Sequence, residues 1–326
     1  MSRITIILLF YFLFIACQKP QDEELASFSD GEHWTWLQSD TQEVSSRQTI
    51  FRHLFGDNDQ LRLHQSMSLF DNKIFCFNHG VKCNVFDYNT KQELYSLDLP
   101  ESSHHNNAQF LDVFLNKDDQ FPLLLLSRGD YPPNQNEFYI VRVEELNDTV
   151  SFKRIKTIRN AISEANYGGS WVADTQTQTL FLYTMTKGDW RVKDNKACVY
   201  SFQLPDLTDP GEVVLGYDDV QNYWEYSYLI YQGGAFYNGY LLFNVQSLSR
   251  VYGKKLESQK SVLAINTNNG LIEAVLPLKE SMETEGICVY NDKLYVSFKD
   301  GSSNQKESDT VLKILEYSLP ESIINN

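Results

Sequence analysis

The chain has 326 residues, with 43 acidic against 28 basic side chains and a net charge of −15. That balance excludes attachment to a nucleic-acid backbone, which needs a cationic surface, and docking on anionic lipid by charge alone. Five cysteines without a CxxC pattern exclude a disulfide-dense scaffold and a zinc ribbon, and a chain this long buries a core without staples.

The first element is a targeting segment. Arg3 precedes a run from Ile4 to Ala16 that is apolar apart from Thr5. The run falls short of the roughly 20 residues of a spanning helix and suits the hydrophobic region of a signal peptide. Phe14-Ile15-Ala16-Cys17 resembles a bacterial lipobox, with small Ala16 before Cys17 and Phe14 where Leu is usual. The resemblance implies lipidation of Cys17, and several buried acyl chains anchor stably without a spanning helix. An ordinary signal peptide with an incidental cysteine is the alternative. Residues 1–16 are thus expected to be a lipoprotein signal peptide. Residues 17–45 are expected to be the lipidated cysteine with a tether and leader, and residues 46–326 a single domain. Asp22-Glu23-Glu24 reads as part of a solvated tether, and Trp34 and Trp36 as leader aromatics that dock on the domain. No second apolar run approaches the first in length, so the mature chain is expected on one side of the membrane, outside the cytoplasm; the lipoprotein resemblance implies the bacterial outer membrane, facing the periplasm or the cell surface.

From about residue 46, apolar runs of strand length alternate with turn clusters. Short helices are expected only near 155–165 and 278–284. Strand, two-residue turn, strand recurs at Leu69 to Cys76 around Asp71-Asn72, at Phe236 to Phe243 around Asn238-Gly239, and at Val289 to Val296 around Asn291-Asp292. Asn, Asp and Gly tolerate the positive φ that such hairpin turns need. Looser copies run from Trp171 to Leu182 and from Ala108 to Leu126. A second hairpin follows each unit: Val85 to Leu94 parallels Leu263 to Leu271, and Phe138 to Val143 precedes Val150 to Ile155. Val199 to Leu204 likewise precedes Val213 to Leu215. A repeated unit of four antiparallel strands is a propeller blade. The fold class is therefore all-β, a β-propeller. Innermost strands begin near residues 65, 107, 169, 233 and 285, which gives five blades. The last blade holds three clear strands, and Thr49 to Leu54 supplies the fourth, closing the ring and removing an exposed edge. A sixth blade from residues 30–62 and a pair of stacked sandwiches are the alternatives.

Three stretches carry a resemblance over residues 60–318. They are Gln65-Ser66-Met67, His105-Asn106-Asn107 with Phe121-Pro122-Leu123-Leu124, and Glu285-Gly286-Ile287 with Leu294-Tyr295-Val296. In them the chain resembles a group of uncharacterised β-propeller lipoproteins of bacteroidete-type bacteria. The resemblance implies fold and location and no activity.

Residues that open the innermost strands ring one mouth of a propeller channel. Here they are polar or small: His64, Gln65, His105, Asn106, Asn107, Tyr167, Ser170, Gln232 and Glu285, among glycines. Their convergence makes a concave polar ligand site; polar groups that hold channel waters are the blander reading. His64, His104, His105 and Glu285 would form a metal or acid/base set only if they met. Cys76 and Cys83 flank the turn at His79-Gly80, where a disulfide or two buried thiols are the alternatives. Aromatics between Tyr217 and Tyr231 serve either a sugar face or inter-blade packing. Asp148-Thr149-Val150 and Asp309-Thr310-Val311 resemble short O-glycosylation motifs. No GxSxG, HExxH, Walker A or dinucleotide fingerprint occurs, so no catalytic residue, metal ligand or cofactor is assigned. The expected function is a lipid-anchored, non-catalytic binding or scaffold module for a protein, glycan or small ligand, with the membrane as its other partner. The alternative is an extracytoplasmic hydrolase or lyase acting on a glycan or peptide, which requires at least two of His64, His105 and Glu285 to meet at the channel mouth.

Overall fold

A strand that is apolar on both sides needs a covered face on each. Such runs dominate this chain, as in Leu123-Leu124-Leu125-Leu126 and Leu241-Leu242-Phe243, all buried. The computed structural model describes residues 47–54, 60–128, 137–146, 149–165, 169–186, 196–226, 230–246, 260–278, 280, 282–299 and 311–325. The signal peptide, Cys17, the tether, Tyr167, Asp148 and the Asp309-Thr310 motif lie outside the described residues.

Strand β1 (Arg47–Leu54) comes first in the chain and belongs to the last blade. The first blade is β2 (His64–Phe70), β3 (Lys73–Asn78), β4 (Gly80–Asp87) and β5 (Glu93–Ser103). The second is β6 (Ala108–Phe110), β7 (Leu124–Arg128), β8 (Glu137–Leu146) and β9 (Thr149–Asn160). The third takes β10 (Ser170–Asp174), β11 (Thr179–Met185) and β12 (Ala197–Gln203), then passes over β13 (Gly211–Leu215) to β14 (Val220–Tyr226). The fourth is β15 (Ile230–Tyr237), β16 (Tyr240–Gln246), β17 (Lys260–Asn266) and β18 (Ile272–Pro277). The fifth is β19 (Glu283–Tyr290), β20 (Lys293–Lys299) and β21 (Val311–Ser318), completed by β1 antiparallel to β21. A one-turn helix, α1 (Glu321–Ile324), ends the described chain.

The innermost strands β2, β6, β10, β15 and β19 succeed one another around an axis, with β6 reaching β10 through the Gln109 side chain on Ala173, and β19 meets β2 again. The molecule is a five-bladed β-propeller. Closure by the N-terminal strand and the positions where the innermost strands start agree with the repeat in the sequence. The central turns also agree: Asp71, Asn72, Asn238, Gly239, Asn291 and Asp292 all have positive φ.

Two local readings are corrected. Val213 to Leu215 is not the fourth strand of the third blade. It lies in β13, which pairs parallel with β9 and extends the second blade to five strands. Val213 and Leu215 pack into the cluster between the second and third blades, so burial there outweighs sequential pairing. Of the expected short helices, one 3-10 turn forms among the described residues. Residues 155–160 continue β9, followed by a 3-10 turn at Ser163–Ala165, and the described residues between 278 and 282 are not helical.

Five apolar clusters hold the ring, one at every junction between blades. The period-two alternation of a strand assigns side chains to its two neighbours. In β11, Leu180 and Leu182 face the second blade, while Phe181 and Tyr183 face the fourth. Trp171 is fully buried between Phe138 and Phe202, with ring centroids 5.0 and 5.9 Å away. Trp224 and Tyr226 pack at the junction of the third and fourth blades, whereas Tyr217 and Tyr223 are exposed. Cys76 stands opposite Asn84, and Cys83 opposite Phe77. That one-residue offset sends the two thiols to different junctions, and all four described cysteines are free and buried.

Glycine sets the spacing of the innermost strands. A Cβ on Gly286 would lie 2.7 Å from Met67 N and 2.9 Å from Ser66 Cα. Gly286→Ala is therefore expected to lower stability by about 3 kcal/mol through overpacking, read by urea unfolding. Gly216→Ala, whose new carbon meets nothing nearer than 4.0 Å, should change it by less than about 0.5 kcal/mol.

Candidate ligand sites on the propeller axis

Each innermost strand pairs on one side only, so its inner edge carries backbone groups without a ladder. Side chains from neighbouring blades serve that edge. Ser68 Oγ accepts from Phe110 N at 3.4 Å. Gln109 spans Ala173, accepting from its N–H at 2.9 Å and donating to its carbonyl at 2.7 Å. Ser127 Oγ accepts from Trp171 N at 3.1 Å. Asn107 reaches furthest. It donates to Trp171 O at 3.0 Å and accepts from Gly234 N at 3.2 Å, tying the second blade to the third and fourth. Gly233 completes this waist, since a Cβ there would sit 3.2 Å from Glu285 O.

On the side where the innermost strands begin, His64 Nε2 lies 2.8 Å from Ser297 Oγ, which also accepts from Gly286 N at 2.8 Å. Lys299 Nζ donates to His64 O and pairs with Glu285, both at 2.8 Å. The Glu285 side chain is 2% exposed. Burial, helped by the Lys299 charge, pulls the His64 imidazole down to about pKa 3, so it is neutral at ordinary pH. His105, Asn107 and Ser170 are buried. Gln65 and Asn106 are half-buried, with Gln65 donating to His64 O at 2.9 Å. His104 instead meets His79 edge to face at 5.2 Å. Around this end, His64 Nδ1, Ser66 Oγ, Ser170 Oγ, Gln232 Oε1, Thr284 Oγ1 and both amide atoms of Asn244 are shut from solvent without a hydrogen-bond partner in the protein. Among the described residues no group of three His, Cys, Asp or Glu could hold a metal ion.

A cavity of 230 Å³ occupies the opposite half of the axis, where the innermost strands end. All five blades line it, through Ser68, Asp112, Asp174, Tyr237 and Asp292 among others. Asp174 accepts Gln176 N at 2.9 Å, and Asp292 accepts the Tyr237 hydroxyl at 2.8 Å. Sequence reasoning passed over these residues because turn chemistry already accounts for Asn and Asp at strand ends. The available signal was an exception to the repeat: the second blade replaces the two-residue turn with a loop that begins at Leu111-Asp112.

No protein-family model matches the chain, and no curated protein does. Similar solved structures include Myxococcus xanthus glutaminyl cyclase, at 10% identity and TM-score 0.45, covering 86% of this chain and 100% of that one. A putative oxidoreductase (glucose dehydrogenase) from Thermus thermophilus has 13% identity and TM-score 0.46, covering 83% and 99%. The WD40 β-propeller domain of Doa1 has 14% identity and TM-score 0.38, covering 79% and 64%. The propeller assignment rests on the strand pairing of this chain itself.

A histidine neutral when folded and protonated when unfolded costs stability as pH falls below its unfolded pKa of about 6.5. The loss grows down to the folded pKa of about 3. Between about pH 6.5 and 5, His64 should contribute up to about 1.4 kcal/mol per unit to that fall. His64→Gln should flatten the slope in urea unfolding at several pH values.

Proposed function

We propose that the protein is an exported, lipid-anchored binding module that holds a small polar ligand on the propeller axis without catalysing a reaction on it. The observation that carries this reading is the cavity shared by all five blades. Its volume lies just below that of ordinary small-molecule pockets. Carboxylates at Asp112, Asp174 and Asp292, with hydroxyls at Ser68 and Tyr237, favour a neutral or cationic ligand over an anion. The enzyme reading is less well supported. Acid/base work at neutral pH is best served by a group titrating near 7, and burial holds His64 far below that; Glu285 pairs with Lys299 at 2.8 Å.

Calorimetric titration of the protein with galactose, N-acetylglucosamine, triglycine and putrescine tests this reading. At least one is expected to bind saturably, and Val289→Trp, which fills the cavity wall, should weaken that binding by tenfold or more. Turnover of a glycoside or peptide that disappears in Glu285→Gln would instead establish the enzyme. For the anchor, labelled palmitate should enter the wild-type chain in a bacterial host and be absent from Cys17→Ser.

A further inference from the structure

Beyond the cavity, a second site lies on the other side of the Asn107 waist. Ser66, Ser170, Gln232 and Thr284 belong to the first halves of four innermost strands, β2, β10, β15 and β19. His64 opens β2, and Asn244 sits on β16 opposite the irregularity that contains Gln232 and Gly233. Each carries a buried polar atom with no protein partner. Such atoms are few in a folded protein, and each costs free energy if left dry. Here six residues from four blades share one end of one axis, where Gly233 and Gly286 let neighbouring innermost strands approach closely.

Their chemistry is specific. Three are hydroxyls, which donate and accept; Asn244 offers one donor group and one acceptor; Gln232 Oε1 only accepts. Of the neighbouring charges, Glu285 pairs with Lys299, and buried Lys260 donates to Met282 O. The unpartnered groups themselves are uncharged and present donors and acceptors together, which selects a partner group able to do both. We propose that this end of the axis is a recognition site for uncharged hydroxyl groups, filled by ordered water or by the hydroxyls of a small polyol. It does not depend on occupancy of the opposite cavity, from which Asn107 separates it.

The test pairs thermal unfolding with a high-resolution crystal structure of the protein, using myo-inositol and glycerol as probes. Thr284→Val and Asn244→Leu each delete a group that has no protein partner. If those groups bind hydroxyls, both variants should melt several degrees below the parent, Thr284→Ser should restore the parental value, and ordered oxygens should lie within hydrogen-bond distance of Thr284 and Ser170. A saturable rise in melting temperature with myo-inositol or glycerol, lost in Thr284→Val but kept in Val289→Trp, assigns those oxygens to a polyol. Ordered oxygens without that rise assign them to water. Variants that melt at or above the parent, with no ordered oxygen at these atoms, would overturn the proposal. Should Asn244→Leu fail to fold, the Thr284 pair decides alone.

Discussion

Everything in this propeller depends on how its five innermost strands pass one another without a ladder between them. A β-edge left bare costs unpaired backbone groups, and closing a ring of radial sheets creates five such edges at the axis. The chain meets the requirement with side chains rather than strands. Ser68, Gln109, Asn107 and Ser127 lend hydroxyl and amide groups to the backbone of the next blade. At two other junctions the backbones come too close for a side chain, and Gly233 and Gly286 stand there. Polar residues and glycines at strand starts thus serve the architecture first.

The same constraint divides the axis into two environments. Asn107 bridges the third and fourth blades, and it leaves an acidic cavity on one side and an enclosed neutral polar layer on the other. In the enclosed half the Glu285–Lys299 pair is compensated. Desolvation there favours neutral groups, which is why His64 stays unprotonated. The open half keeps carboxylates because turn N–H groups and a tyrosine hydroxyl satisfy them, as at Asp174 and Asp292.

Away from the axis, β13 shows how a junction is reinforced. It leaves the third blade after β12 and pairs parallel with β9 of the second, and Val213 and Leu215 join the apolar cluster between them. Arg159 then links Glu137 in β8 to Glu212 in β13, at 2.8 Å each. With Arg159 half-exposed, these ion pairs contribute modestly, and the buried aliphatic contacts hold the strap.

The repeat was legible in the sequence because it rests on local rules. Asp71-Asn72, Asn238-Gly239 and Asn291-Asp292 mark turns that need positive φ, and the apolar runs between them have strand length. Strand β1 was legible as the missing fourth member of the last blade. The polar strand starts were also visible, but not their sorting. Sequence could not distinguish Asn107, used up in bridging backbone, from Ser170 and Thr284, which keep an unpartnered hydroxyl. Nor could it show that Cys76 and Cys83 turn to opposite faces, since one residue of register reverses a side chain. Sequence by itself determined the blade, its count and its closure, because turn chemistry and alternation act between near neighbours. Only the tertiary structure decided that β13 joins another blade and that the cavity opens at the far end of the strands, because both follow from packing between residues far apart in the chain.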